Sequence, residues 1–175
     1  MRRRTAGSLV GAVGGVVFVL VNAGGLPGAG ALHAAAAVLL VATVAAGLRS
    51  TGDVPPPSRA AVRTYGWCVG LMVLAIVLGA RLLALVDRPD LTLPWVVGVV
   101  GVHFWPFARA FAAPLFTGLA GALVVVALAG AAAVSADLAH AAPATGVAAG
   151  FVLLAAALAG EVTAHRGTAP ADDPV

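Results

Sequence analysis

The sequence predicts an all-α protein, a polytopic transmembrane bundle of about six helices. Three observations lead to this prediction. Of the 175 residues, 61% are hydrophobic and only 10% are charged. A soluble domain carries about 25% charged residues to hydrate its surface, so this chain has too few for a water-facing exterior. The apolar residues are also grouped into runs of roughly 20, the helical length that spans about 30 Å of hydrocarbon.

Six apolar segments meet or approach that length, which predicts that residues 1–166 form one transmembrane domain. The predicted helices cover residues 6–23, 30–48, 64–86, 91–108, 110–134 and 142–164. Residues 167–175 are polar and contain two prolines, which predicts a disordered cytoplasmic tail.

The arginines predict the orientation, because cytoplasmic loops carry an excess of basic residues. With the N-terminus inside, the inner loops and ends hold Arg2, Arg3, Arg4, Arg49, Arg59, Arg63, Arg109 and Arg166. The outer loops then hold Arg88 alone. This bias predicts a plasma-membrane protein with both termini in the cytoplasm. The scattering of the arginines also argues against a nucleic-acid partner, which a clustered basic patch would indicate. The expected partner is the lipid bilayer.

The first apolar segment has two interpretations. An arginine cluster followed by an apolar run resembles a secretory signal, and the small residues between Asn22 and Gly30 would suit cleavage. Gly7, Gly11 and Gly15, however, form a ridge of small residues at four-residue spacing, which favours close packing of a retained helix. Cleavage would reduce the number of helices to five.

Three ionisable residues within the predicted helices are candidate functional groups: His103, Glu161 and Arg81. A charge at the centre of a membrane helix costs roughly 2.5–3.5 kcal/mol, so each needs a reason to be there. For Arg81 one reason is snorkelling to the outer interface, near Asp87 or lipid phosphate. The functional alternative is an anion contact, or an ion pair with Asp137.

His103 and Glu161 are predicted to lie at similar depths in the inner half of the bilayer. A hydrogen bond to a neighbouring helix would explain His103 without a function, and a local pair with His165 or Arg166 would explain Glu161. If their helices touch, the two residues form a buried pair suited to proton relay, because histidine titrates near neutrality.

Catalytic and metal-dependent functions find no support in the sequence. His33, Asp137 and His140 have metal-binding side chains, but they are expected at helix ends in water. Ser135, the third residue type of a hydrolytic triad with Asp137 and His140, lacks the glycine-flanked turn that presents a nucleophile. No zinc-protease, Walker, CxxC or dinucleotide-binding motif occurs. We therefore expect no enzyme activity, no cofactor and no metal.

The stretch GVHFWPFARAF, residues 101–111, resembles a Gly-x-His-Phe-x-Pro-x-Ala pattern of small, uncharacterised multi-pass bacterial membrane proteins. The resemblance implies membrane helices and no particular activity. The residues themselves indicate a helix end, because Pro106 cannot donate a backbone hydrogen bond and Trp105 is suited to anchoring at an interface. Carbonyls freed by Pro106 would be able to accept a proton from His103.

Two functions follow. The first is a non-catalytic structural or accessory bundle, with self-association through Gly and Ala helix faces. The alternative is a small secondary transporter, coupled to protons through His103 and Glu161. Two glycines four residues apart open the third helix of each half, a hint of the 3+3 repeat of transporters: Gly66 and Gly70, then Gly146 and Gly150.

Overall fold

The computed structural model describes residues 4–49, 58–110 and 113–166, and these ranges are helical with short turns between the helices. The helices are α1 (Arg4–Ala23), α2 (Ala29–Arg49), α3 (Arg59–Leu85), α4 (Thr92–Ala110), α5 (Leu115–Ser135) and α6 (Ala141–Arg166). A short 3₁₀ helix, Pro89–Leu91, precedes α4. The predicted all-α class is confirmed. The predicted tail, residues 167–175, lies outside the described residues.

The length and apolar surface of the helices suit a hydrocarbon environment. Within the described ranges, α2 to α6 are each long and apolar enough to cross a membrane, and the apolar part of α1, Gly7–Ala23, is shorter. Large apolar side chains face outward, with Val21, Leu48 and Leu85 at 75%, 72% and 79% exposed. Exposure of so much contiguous apolar surface is unfavourable in water but not against lipid chains. The chain is therefore an integral membrane protein.

Four helices begin within two residues of the predicted starts, and two begin five residues away. α3 begins at Arg59 instead of Thr64, because the two alanines after Arg59 are strong helix formers and carry the helix beyond the apolar run. α5 begins at Leu115 instead of Ala110, with Pro114 immediately before its first turn. Proline suits that position because the first backbone N–H groups of a helix have no intrahelical partner anyway.

α4 continues through Pro106 without the predicted disruption and ends two residues beyond the predicted bound, residue 108. It runs on to Ala110, about one turn beyond Pro106. A proline nitrogen cannot donate to the carbonyl four residues earlier, here that of Val102. Because so little of the helix follows, the loss is confined to its last turn.

α3 ends at Leu85, four residues before Pro89. Asp87 adopts a left-handed backbone conformation, with φ of 54°. The N–H of Arg88 then bonds the Leu83 carbonyl, and the N–H of Asp87 bonds the Ala84 carbonyl. These two bonds form a Schellman motif, which satisfies carbonyls that the helix end leaves open. Pro89 starts the 3₁₀ helix that follows.

α6 is the central helix of the bundle. It contacts α1, α2, α4 and α5, whereas α3 lies at one edge and packs chiefly against α4. One apolar cluster joins α1, α2 and α6 around Val19 and Leu154. A second joins α4, α5 and α6 around Val97 and Leu123. Although α2 and α3 are consecutive in the chain, α2 packs against α1 and α6, whereas α3 packs against α4.

α1 and α6 meet backbone to backbone at Gly15 and Gly150. A Cβ atom added to Gly15 would lie 2.7 Å from the carbonyl oxygen of Gly150, and one added to Gly150 would lie 2.6 Å from that of Gly15. No larger residue fits without moving a backbone. The predicted packing role of the first ridge is thus confirmed at Gly15, while among the described residues nothing lies within 4 Å of a Cβ added to Gly7.

Gly66 and Gly70 do not pack against another described helix of this chain. Within the described part of the chain, a Cβ added at either position would meet no atom within 4 Å. Gly146 and Gly150, the matching pair on α6, are both buried against α1. The two halves also pack differently, since α3 is peripheral and α6 is central. The structure therefore gives no support to the 3+3 repeat.

We expect Gly150→Ala to lower the stability of the protein by about 1–3 kcal/mol, since the new methyl group would overlap the α1 backbone. Unfolding in mixed micelles of mild detergent and increasing SDS would measure the change. Gly118→Ala is the matched control, because the same methyl group enters open space at an exposed position of α5. Equal stabilities of the two variants would contradict the importance of the α1–α6 contact.

Candidate functional site

His103 lies on α4 among aromatic rings. Its ring centroid is 4.2 Å from that of Phe104 and 5.1 Å from that of Phe107. Its Nδ1 atom is hydrogen-bonded to the carbonyl of Val100, so Nδ1 carries the proton. The predicted acceptor was a carbonyl freed by Pro106, such as that of Val102, but the observed acceptor belongs to Val100, two residues earlier. In the neutral ring, Nε2 is then left as a hydrogen-bond acceptor.

Phe107 connects this aromatic cluster to α3. Its ring stacks on that of Tyr65, with centroids 5.2 Å apart and an interplanar angle of 17°. Phe104 in turn stacks on Phe116 of α5 at 5.8 Å. His103 therefore belongs to an aromatic cluster that joins the same ends of three helices.

Glu161 lies between α6 and α1. Its side chain is 3% exposed. It accepts a hydrogen bond from the hydroxyl of Ser8, which lies 153 residues earlier in the chain. The predicted pair with His165 or Arg166 falls on side chains outside the described residues. The observed partner links the first helix to the last, so Glu161 holds helices together.

Arg81 is exposed on α3. Among the described residues, the only ion pair joins Arg88 to Asp90, with Nη2 and Oδ2 3.1 Å apart. Arg81 therefore pairs with neither Asp87 nor Asp137, the two carboxylates that the sequence offered. An outward-facing arginine agrees with snorkelling along the bundle surface.

The three candidate residues do not converge on one site. His103 contacts rings of α4, Glu161 bonds a residue of α1, and Arg81 faces outward. Within the described chain, no hydrogen bond or ion pair connects His103 to Glu161. The predicted buried His–Glu pair is absent from these contacts, although α4 and α6 touch.

The loops at the other end hold a separate polar group. Arg88 donates to Asp90 and, from Nη2, to the hydroxyl of Ser135 at 3.3 Å, which ties the α3–α4 turn to the end of α5. Asp137 and His140 lie in the turn before α6, each with a positive φ. Because they lie in this turn, their three-residue spacing does not place them on one face of a helix.

No metal site is formed by the described residues. Within them, no three His, Cys, Asp or Glu side chains come close enough together to hold an ion. His33, the third member of the predicted outer-face trio, lies on α2 with its Nε2 atom buried and without a hydrogen-bond partner. Asp137 and His140 are both exposed.

A deep groove lies between α3 and α5, with α4 as its floor; we call it the α3–α5 groove. Its volume is about 650 Å³. Six of the residues that line it are Cys68, Leu71, Trp95, Val102, Pro106 and Leu128. Its walls are apolar apart from His103 and the Cys68 thiol. Sequence analysis did not find the groove, because it arises from the peripheral position of α3, which no local pattern encodes.

Trp95 holds α3 in place at the far end of the groove. Its indole Nε1 donates to the carbonyl of Ala75 at 3.0 Å, and the ring fills the space that a side chain at Gly79 would occupy. A hydrogen bond between helices has particular value in lipid, where no water competes for the same groups. Together with the Tyr65–Phe107 stack, it fixes α3 against α4 at both ends of the groove.

Comparison of the chain with protein-family models, with curated proteins and with solved structures finds no match.

We expect Glu161→Ala to destabilise the protein by about 1–3 kcal/mol, because it removes the carboxylate that the half-buried Ser8 hydroxyl bonds across the α1–α6 contact. The Ser8→Ala and Glu161→Ala variants should also show a coupling of about 0.5–3 kcal/mol in a double-mutant cycle. SDS unfolding in mixed micelles would measure both quantities. Thr163→Ala is the control, since its hydroxyl bonds its own helix on an exposed face. Additive losses would contradict a direct link.

Proposed function

We propose that this chain is a non-catalytic integral membrane protein of the plasma membrane, with a structural or accessory role. The observation that supports this best is the separation of His103, Glu161 and Arg81 into three different environments. Catalysis and ion coupling both need polar groups that act on one reacting atom or ion. These residues instead serve an aromatic cluster, an interhelical hydrogen bond and the outer surface.

The groove supports the same role. A transporter binds its substrate near the middle of the bilayer in a cavity with polar groups for substrate or coupling ion. The α3–α5 groove is apolar and opens sideways between two helices, towards the surrounding hydrocarbon. Such a surface suits contact with another apolar molecule within the membrane.

The proposed topology has both termini in the cytoplasm and α1 retained in the mature protein. The arginine bias supports the orientation. Retention is supported by packing, because Ala12, Val19 and Ala23 of α1 are fully buried. Removal of α1 would expose the face of α6 that carries Gly150, and it would take away the hydroxyl that Glu161 binds.

Labelling of single cysteines tests this orientation. In a Cys68→Ala background, Pro27→Cys should react with a membrane-impermeant maleimide on intact cells, because it lies in the outer α1–α2 turn. Ser58→Cys, just before α3, should react only after permeabilisation. Both positions are exposed in the structure. The reverse pattern, or labelling of both from one side, would refute the proposed topology.

The alternative function, a proton-coupled secondary transporter, draws on one observation: His103 lines the groove and leaves Nε2 as an acceptor. Proteoliposomes with an internal pH dye separate the two functions. Under the accessory role we expect the same proton flux from wild type, His103→Ala and protein-free liposomes. Flux above the protein-free level that is lost in His103→Ala would overturn the accessory role.

Self-association through small-residue faces belongs to the same proposal. Some of these faces are used within the bundle, as at Gly15 and Gly150. Gly66 and Gly70 remain exposed, one turn apart, on the peripheral helix α3. A homo-oligomer would place this face at its interface, where small residues allow close approach of two helices.

A further inference from the structure

Beyond the proposed role, a polar contact crosses one end of the α3–α5 groove, which we call the Arg88 end. The groove is lined there by Leu83 of α3, Leu91 of the 3₁₀ helix and Ala131 of α5. Arg88 lies beside two of these residues, because its N–H bonds the Leu83 carbonyl and its own carbonyl accepts from Leu91. Ser135 follows Ala131 by about one helical turn and so continues the groove-facing stripe of α5. The hydrogen bond from Arg88 to Ser135 therefore joins the two walls of the groove.

Two carboxylates hold the Arg88 guanidinium in this position. Nε and Nη2 donate to the carboxylate oxygens of Asp90 at 3.1 to 3.3 Å, which fixes the plane of the group. Asp137 lies two residues beyond Ser135, just past the end of α5. The hydrogen bond and charge of Asp90, together with the charge of Asp137, raise the pKa of Arg88. Asp90 thus orients the guanidinium, and Asp137 attracts it towards the end of α5.

The last turns of α3 are held weakly. α3 packs chiefly against α4, where Trp95 anchors it at Ala75 and Gly79. Residues 80–85 lie beyond this anchor, and Leu85 is 79% exposed. Among the hydrogen bonds and ion pairs of the described residues, the one from Arg88 alone joins α3 or its following turn to α5. Segments with few buried contacts are the ones that move most readily.

The opposite end of the groove is held differently. There Tyr65 stacks on Phe107, and Phe104 stacks on Phe116, so aromatic rings connect α3, α4 and α5. These apolar contacts do not compete with water or ions. The Arg88 side chain, by contrast, is 42% exposed, and ion pairs at exposed positions are weak and screened by salt. The Arg88 end is therefore the end at which the groove can open.

We propose that Arg88 and Ser135 form a clasp that keeps the Arg88 end of the α3–α5 groove narrow. Release of the clasp lets the last turns of α3 move away from α5, and the clasp thereby controls the entry of an apolar molecule from the bilayer at this end. This inference does not depend on the accessory role, because it concerns the walls of the groove and not its occupant.

Distances between two spin labels test the proposal. In a Cys68→Ala background, the labels are attached at Leu85→Cys of α3 and Ala132→Cys of α5, both exposed positions. Double electron–electron resonance in lipid nanodiscs should give one narrow distance distribution for this labelled parent. Ser135→Ala and Arg88→Gln should raise the fraction of longer distances about two- to fivefold. Ser135→Thr keeps the hydroxyl acceptor and should match the parent.

Arg81→Gln is the charge control, because it removes an exposed arginine of α3 that forms no ion pair with the described residues. It should leave the distances unchanged. Equal distributions for the parent, Ser135→Ala and Arg88→Gln would overturn the proposal, and so would equal broadening by Arg81→Gln. Opening in Arg88→Gln alone would also overturn it, because the effect would then belong to the turn and not to the clasp.

Alkylation tests the control of access separately. Leu83→Cys, in the same Cys68→Ala background, places the only thiol on the groove wall at the Arg88 end. Its reaction with N-ethylmaleimide in nanodiscs should accelerate about two- to fivefold when Ser135→Ala is added, and Arg81→Gln should leave the rate unchanged. An unchanged rate in Ser135→Ala would overturn the control of access.

Discussion

The fold depends on the contact between α1 and α6 at Gly15 and Gly150. Hydrocarbon surrounds these helices, so burial of apolar side chains gives little driving force, and association depends on close van der Waals contact. The carbonyl of each glycine lies where a side chain of the other would begin. This contact fixes α6 at the centre, and α6 then supplies residues to both apolar clusters. The positions of α2, α4 and α5 follow from that central helix.

Polar side chains form two kinds of hydrogen bond within this bundle. Several hydroxyl side chains bond a carbonyl four residues earlier in their own helix, as Thr43 bonds Leu39 and Thr145 bonds Ala141. These groups are satisfied locally and specify no neighbour. Ser8 with Glu161 and Trp95 with Ala75 instead bond between helices. A few polar contacts therefore help to determine which helices pack together, and each contact joins a different pair of helices.

The helices could be predicted from the sequence. A membrane helix forms its backbone hydrogen bonds within itself, so the apolar composition of its own segment is enough to identify it. Which helices pack against one another could not be predicted in this way. Gly66 and Gly70 have the same spacing as Gly146 and Gly150, yet one pair is exposed and the other is buried. The partner of Glu161 is 153 residues away, far beyond any local spacing rule. Asp137 and His140 illustrate a third difficulty, since a left-handed turn at a helix end removes them from helical geometry.

The pairing of α1 with α6 has a consequence for biosynthesis. A ribosome delivers helices to the membrane in chain order, so the first helix enters the bilayer long before its main partner exists. Until α6 is inserted, Gly15 and Ser8 lack the helix that they contact in the folded protein. At that stage α1 can pack only against α2. The fold closes only when the last helix arrives, and a nascent chain cut short before that point would leave its first helix exposed to quality-control proteases.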